Sequence, residues 1–167
     1  NPLTGGVGYG GVTSPGNAPS VITVGAVRTF ETNRRTDDLV ADYSSRGPTW
    51  YDGFVKPDVV APGHRLLGPA SPTQALYSLY PLLRGPSYGG RSYMHLSGTS
   101  MATAVVSGTV ALMIEGAKAS YGVAPPVSAL KAMLQHTAFP MSDTGAAPYD
   151  ELTQGAGGLN TAGALVL

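Results

Sequence analysis

The sequence contains no cysteine. A disulfide framework and a thiolate metal site are therefore excluded, while the redox compartment stays open. Charge is also scarce: charged residues make up 12% of the 167 residues, and the 10 basic side chains balance the 10 acidic ones. Nucleic acids and anionic membranes attract proteins with a basic excess, so we predict neither as a partner.

Long hydrophobic runs are missing as well. The longest apolar tract, residues 102–114, is interrupted by small polar residues and is shorter than the roughly 20 residues that span a bilayer. Glycine and proline are plentiful, with 23 and 14 residues, but they separate apolar segments and form no low-complexity tract. The composition therefore predicts one loop-rich folded domain over residues 1–167.

The apolar segments predict both strands and helices. Residues 20–27 and 58–63 are short and almost continuously apolar, which is typical of strands buried on both faces of a parallel sheet. Residues 100–119 are apolar nearly all round and predict a core helix. Further elements are expected as a strand near 93–96 and helices over 127–137 and 160–165. This order predicts an α/β fold with a parallel sheet and a buried helix behind it.

One short motif carries candidate chemistry. SerGlyThrSerMetAla, residues 97–102, lies where a predicted strand leads into the core helix. A serine hydroxyl becomes a useful nucleophile only beside a base, and the unpaired N–H groups of a helix N-terminus favour an oxyanion. Gly98 has no Cβ and allows a substrate to approach closely. Ser100 is thus a candidate nucleophile, although a serine that only caps an ordinary helix is the commoner case for such a local pattern.

The wider sequence resembles a known family. GlyThrSerMetAla, followed by ValValSerGly and a long apolar helix, resembles the nucleophile motif of subtilisin-like serine peptidases, the subtilase or peptidase S8 family. Further segments of that family are matched in the same order by residues 15–27, 42–48, 56–63 and 154–165. The resemblance implies that the chain is the C-terminal half of a subtilisin-like catalytic domain, with a parallel-sheet fold and Ser100 as nucleophile. It implies hydrolysis of polypeptides or small esters, and a location outside the cell.

The resemblance also implies site residues that this sequence does not supply. In this family the triad follows the order Asp, His, Ser, and neither the Asp motif nor the His motif is found here. Asn1 is the candidate for the asparagine of the oxyanion hole, with the N–H of Ser100 as the second donor. Ala104 replaces the usual proline, which a helix start tolerates but does not require. Calcium is compatible with the family, but no site is assigned.

A partner polypeptide is expected for the same reason. Most strands of the family sheet precede the oxyanion asparagine, so the strand at 20–27 is expected to have an unpaired apolar edge, which proteins seldom leave exposed. The predicted partner is the missing N-terminal half of the domain or a second copy of this chain.

His64, His95 and His136 are the bases that this chain itself offers. Each is more commonly structural or exposed to solvent than functional. His95 stands out because it precedes Ser100 by five residues on the approach strand. The sequence contains no HxxH or HExxH spacing, so it indicates no metal site of that kind. Two classes of function stay open: a serine hydrolase, either a peptidase or an esterase with a recruited histidine, and a non-catalytic binding module.

Two other motifs lack the context that they need. SerAspThrGly at 142–145 resembles an aspartic-protease signature, which requires a second carboxylate. As the missing family Asp it would follow Ser100, against the family order, so we predict a turn. Gly6, Gly8 and Gly11 spell GxGxxG, but neither a strand before them nor a helix after them is predicted.

Overall fold

A computed structural model describes residues 6–167. The elements follow in the order β1 (Val24–Arg28), β2 (Leu39–Val40), β3 (Val59–Pro62), β4 (Leu66–Ala70), α1 (Ala75–Leu79), a 3-10 helix (Pro81–Leu83), β5 (Ser92–Leu96), α2 (Thr99–Tyr121), α3 (Val127–Thr137), α4 (Glu151–Gln154) and α5 (Thr161–Val166). The predicted strands near 20–27, 58–63 and 93–96 and all three predicted helices are confirmed, with boundaries that differ by a few residues at most.

β1 is the central strand of a three-stranded sheet with the order β2-β1-β3. It runs parallel to β3, with Val24 opposite Val59. It runs antiparallel to the short strand β2, with Val27 opposite Val40. The parallel pair confirms the predicted α/β fold.

The edge of β1 that faces β2 is better covered than the sequence predicts. The amide of Ala41 donates to the carbonyl oxygen of Ala26 at 2.8 Å, and the amide of Ala26 donates to Ser44 Oγ at 3.0 Å. The expectation of an unpaired edge is therefore wrong for the second half of the strand, because the loop after β1 turns the chain back alongside it. In the part of the chain that the structure describes, Val24 has no strand partner on this side.

Alternate residues of the strands line two apolar clusters, as the period of two in a strand requires. Val24, Ala26, Val59 and Ala61 face the cluster that includes α2, α3 and α5. Val27 and Val60 face the opposite cluster, which contains Val40, Met141 and, at its margin, Phe139 and Tyr149. Both faces of the sheet are therefore covered, as the continuously apolar strands predict.

α2 is buried along one face only. Its buried residues are Ala102, Val106, Thr109 and Met113, which recur at helical spacing on the side facing the sheet. Leu112, on another side, is 49% exposed. The prediction of burial all round is wrong because the described elements pack against a single side of the helix. By length and composition α2 could cross a membrane, but core helices of soluble proteins often have the same length and composition. Here the helix packs on the sheet.

A second sheet leads directly into α2. β4 and β5 form an antiparallel pair, with Leu66 opposite Leu96 and Ala70 opposite Ser92. Residues 71–91 form an excursion between these two strands, which contains α1 and the 3-10 helix. We call this segment the β4–β5 excursion. The sequence did not predict β4 or α1, because the Pro, Gly and Tyr residues of this region show no period.

Candidate active site

Ser100 is the second residue of α2, and its side chain is exposed. Only Ser97 and Gly98 separate the end of β5 from the helix. Gly98 has φ 156° and ψ 161°, a conformation that is essentially restricted to glycine. This glycine allows the chain to pass from strand to helix in a sharp turn that presents the serine at the surface.

The turn is anchored to the end of β3 through Gly63. The Gly98 amide donates to the Gly63 carbonyl at 2.8 Å, and the Gly63 amide donates to the Val27 carbonyl at 3.1 Å. A Cβ on Gly63 would lie 2.8 Å from the Gly98 oxygen, so a larger residue would push the turn away. A further bond joins the Arg65 amide to Ser97 Oγ at 2.9 Å. The position of Ser100 is therefore determined by the sheet.

Backbone donors are available beside Ser100. The amides of Met101 and Ala102 donate to the Gly98 carbonyl at 3.1 and 3.3 Å. The amides of Thr99 and Ser100 precede these bonds, and within residues 6–167 no hydrogen bond uses them. Unpaired N–H groups at the start of a long helix favour a developing negative charge. The geometry thus leaves backbone donors free beside the serine, which is what one half of an oxyanion hole requires.

Tyr43 and His64 form a pair next to this turn. The Tyr43 hydroxyl donates to the Gly63 carbonyl at 3.0 Å and lies 3.4 Å from His64 Nδ1. The two rings are stacked, with centroids 6.0 Å apart. Burial raises the pKa of Tyr43, so its hydroxyl keeps its proton at neutral pH. Sequence reasoning missed this pair, because Tyr43 follows the short strand β2 and His64 follows β3, and no local pattern shows that the loops after these two strands meet.

The other predicted site residues are not brought to Ser100 by the described part of the chain. His95 Nδ1 lies 3.1 Å from the Arg65 carbonyl, to which it can only donate, and no hydrogen bond joins His95 to Ser100 among residues 6–167. His136 is in the last turn of α3 and is exposed. Asn1 lies outside the described residues. The roles of Asn1 and His95 therefore stay predictions.

The structure also accounts for the SerAspThrGly motif at 142–145 and the GxGxxG motif at 6–11. Asp143 Oδ1 accepts hydrogen bonds from the Gly145 amide at 2.8 Å and from the Ala147 amide at 3.0 Å. This is the turn that we predict for residues 142–145. The GxGxxG segment at 6–11 has neither strand nor helix. Neither motif contributes to the site.

The most buried carboxylate of the chain does not fit a calcium ion. Asp58 is 4% exposed, and its two carboxylate oxygens each lie 2.8 Å from an ammonium group, Lys56 Nζ on one and Lys131 Nζ on the other. Both ammonium groups also donate to the Val21 carbonyl, at 3.1 Å. Within residues 6–167 there is no group of three acidic or histidine side chains that could hold a metal ion. Two lysines therefore already supply the positive charge at this carboxylate.

Comparison with known proteins agrees with this geometry. The Peptidase_S8 profile, described as the subtilase family, matches residues 5–160. Serine protease AprX of Bacillus subtilis is 43% identical over 104 residues, which are 62% of this chain and 22% of AprX. Minor extracellular protease Vpr of the same organism is 34% identical over 120 residues, covering 72% of this chain and 13% of Vpr.

A solved structure shows the same fold. Fervidolysin from Fervidobacterium pennivorans, a keratinolytic enzyme related to subtilisin, matches with a TM-score of 0.66 and 26% identity over 92% of this chain and 20% of the fervidolysin chain. This chain thus spans about a fifth of the length of AprX and of fervidolysin. With the family profile matching nearly every residue and Ser100 held at the start of the long helix, this chain belongs to the subtilase family.

Proposed function

We propose that this chain is the nucleophile-bearing part of a subtilisin-like serine endopeptidase. The observation that carries the proposal is the exposed Ser100 at the N-terminus of α2, beside unpaired backbone amides and anchored to the sheet through Gly63. The names of AprX and Vpr, both proteases, support the same reaction.

The reaction is an acyl transfer. Ser100 Oγ attacks the carbonyl carbon of the scissile bond while a histidine takes its proton, and the Ser100 amide donates to the oxyanion that forms. When the intermediate collapses, the histidine gives the proton to the leaving amine, and an acyl ester remains on Ser100. Water, deprotonated by the same histidine, then attacks the ester carbon, and the histidine returns the proton to Ser100 Oγ as the ester bond breaks and the acid is released. By family resemblance Asn1 is the second oxyanion donor.

The triad histidine and aspartate come from a polypeptide that carries the family's Asp and His motifs. Support comes from this sequence, which has neither motif, and from the described residues, which bring no base to Ser100. We infer that this polypeptide covers the exposed side of α2, since Ser100 lies in the first turn of that helix. We propose a location outside the cell, which the name of Vpr supports.

Labelling with a fluorophosphonate tests the role of Ser100 directly. In the presence of the polypeptide that supplies the histidine and aspartate, we expect the reagent to modify the wild type and Ser107→Ala, and to leave Ser100→Ala unmodified. Ser107 is the matched control because it is another exposed serine of α2. Hydrolysis of an activated ester should follow the same order, since an ester leaving group needs little protonation. Equal hydrolysis by wild type and Ser100→Ala in one preparation would show that Ser100 is not a nucleophile.

A His95→Ala variant separates the two sources of the base. If the base comes from the family's His motif, His95→Ala keeps both labelling and ester hydrolysis at the wild-type level. Loss of both would show that His95 has been recruited instead. Without any base, the oxyanion donors alone sustain a residual rate on the order of 10³-fold above water.

A further inference from the structure

Charge is distributed unevenly along this neutral chain. Between Asp58 and Glu115 the sequence has no acidic residue, yet it has Arg65, Arg84 and Arg91. This stretch contains β4, β5, the β4–β5 excursion and the start of α2 with Ser100. This stretch of the chain therefore carries a net positive charge.

Two of these arginines are not neutralised. Arg65 pairs with Glu31 at 3.2 Å. Arg84 and Arg91 form no ion pair within the described residues, and residues 1–5 contain no acidic side chain. Both side chains are exposed. The β4–β5 excursion thus offers two unpaired guanidinium groups.

The local structure holds both arginines in place. Arg84 Nε donates to the Tyr77 carbonyl at 2.9 Å, and its guanidinium lies 4.6 Å from the centre of the Tyr77 ring. The next amide, of Gly85, donates to the Tyr93 carbonyl of β5 at 2.9 Å. Arg91 closes a tight turn with Tyr88, whose backbone it pairs with at 3.0 and 3.2 Å. Held in this way, the Arg84 side chain loses less conformational freedom when it binds a ligand, and the turn fixes the backbone from which the Arg91 side chain extends.

The β4–β5 excursion also carries exposed apolar side chains. Leu79 is 70% exposed, Leu82 97% and Tyr88 61%. Clustered apolar side chains at a surface are typical of a binding site for another molecule, whereas single ones are common everywhere. Arginine and tyrosine are also the residue types that are enriched in protein interfaces. The ligand that fits this surface is a polypeptide with carboxylates and apolar side chains.

The β4–β5 excursion lies within reach of a substrate held at Ser100. Arg84 pairs across the sheet with Met94, which precedes Ser100 by six residues. Six residues span at most about 20 Å. An extended polypeptide whose scissile bond is at Ser100 therefore reaches the neighbourhood of Arg84 with a residue about six positions away from that bond.

We propose that the β4–β5 excursion recognises an acidic segment of the polypeptide substrate through Arg84 and Arg91. Its place relative to the scissile bond rests on the proposed function, but binding at the excursion requires no catalysis. Electrostatic complementarity at such a distance chooses among substrates more than it accelerates the chemical step.

The test measures binding in a Ser100→Ala background, so that no peptide is cleaved. The probe is a short fluorescent peptide that contains a Glu cluster and Leu and Tyr residues, followed by fluorescence anisotropy at low salt. We expect a peptide with Gln in place of each Glu to bind about tenfold more weakly, since each exposed ion pair contributes a fewfold in affinity. The double variant Arg84→Gln/Arg91→Gln should weaken binding of the Glu peptide to a similar extent, and added salt should reduce the difference between the peptides.

Matched variants make the result specific. Arg34→Gln/Lys118→Gln removes two exposed charges outside the excursion and should leave binding unchanged. Arg84→Lys/Arg91→Lys keeps the charges and should retain most of the affinity. Equal binding of the Glu and Gln peptides, no saturable binding, or an equal loss in the control variant overturns the proposal. Equally tight binding of a single-stranded DNA of the same charge also overturns it, because the surface would then attract any polyanion. None of these outcomes bears on phosphonate labelling of Ser100, which tests the proposed function separately.

Discussion

Lys56 is the largest side chain that is fully buried in the described chain, with 1% of its surface exposed. Its ammonium group donates to Asp58 Oδ2 at 2.8 Å and to the Val21 carbonyl at 3.1 Å. Burial lowers the pKa of Lys56, and the neighbouring Asp58 carboxylate opposes that shift. The stability of a protein with such a buried charge depends on every partner of that charge, because the loss of one leaves the charge in the interior uncompensated.

We expect Lys56→Met to destabilise the protein by about 3 kcal/mol, because Asp58 would keep its charge in the interior with Lys131 as its sole ammonium partner. Urea unfolding measures the change. The control is Arg65→Met, which removes an exposed arginine paired with Glu31 at 3.2 Å and should change the free energy of unfolding by less than about 1 kcal/mol. Equal losses in the two variants would show that the buried Lys56–Asp58 pair contributes no more to the free energy of unfolding than an exposed pair does.

Among the elements, the short helix α4 depends on its N-cap. Asp150 accepts hydrogen bonds from the Thr153 amide at 2.8 Å and from the Tyr9 hydroxyl at 2.6 Å. Partial burial acts to raise the pKa of Asp150, but these hydrogen bonds outweigh it and lower the pKa below its usual 3.8. The capped helix also positions Gln154, whose Oε1 accepts from the Met141 amide at 2.7 Å.

We predict that Asp150→Ala lowers the free energy of unfolding by about 1 kcal/mol at neutral pH. Because the folded-state pKa is depressed, the contribution of Asp150 is complete above its unfolded pKa and is lost as the pH falls through the folded value. The difference from wild type should therefore shrink below pH 3.8.

Asp150→Asn is the matched variant for this pH dependence. Asparagine caps helices about as well as aspartate but does not titrate. It should keep most of the stability at neutral pH and change little on acidification. A loss for Asp150→Ala that is the same at pH 7 and at pH 3 would contradict the role of the ionised carboxylate.

The elements also show which parts of the fold local sequence patterns predict and which they do not. α3 was predicted with both ends correct, since Pro125 and Pro126 precede it and its apolar residues share one face. β2 has two residues, and its pairing with β1 comes from a loop whose path no local pattern indicates. β4 depends on its pairing with β5, which the sequence of either strand alone does not reveal.

At the scale of the whole molecule, α2 has one side that no other described element covers. Leu112 lies on this helix and is 49% exposed, while the sheet covers the opposite side. Monomeric proteins seldom leave a long apolar surface uncovered.

We therefore expect the isolated chain to sediment as more than its 17.0 kDa monomer, because copies would cover each other's apolar surface when the proper partner is absent. Leu112→Glu should shift the distribution towards monomer, since a charge on this side of α2 opposes burial. Leu82→Glu changes a leucine that is 97% exposed outside α2 and should leave the distribution unchanged. A compact, stable wild-type monomer in sedimentation velocity would count against a covered α2.

The sequence by itself determined the family order of the segments, the main strands and helices, and Ser100 at the start of a long apolar helix. These features are encoded locally, in short periods and in motifs of neighbouring residues. Tertiary structure decided which side of α2 is buried, that Tyr43 and His64 meet beside Gly63, and that Lys131 reaches Asp58. Those contacts join residues that are far apart in the chain, and they exist only once the fold has brought the sheet, its loops and the helices together.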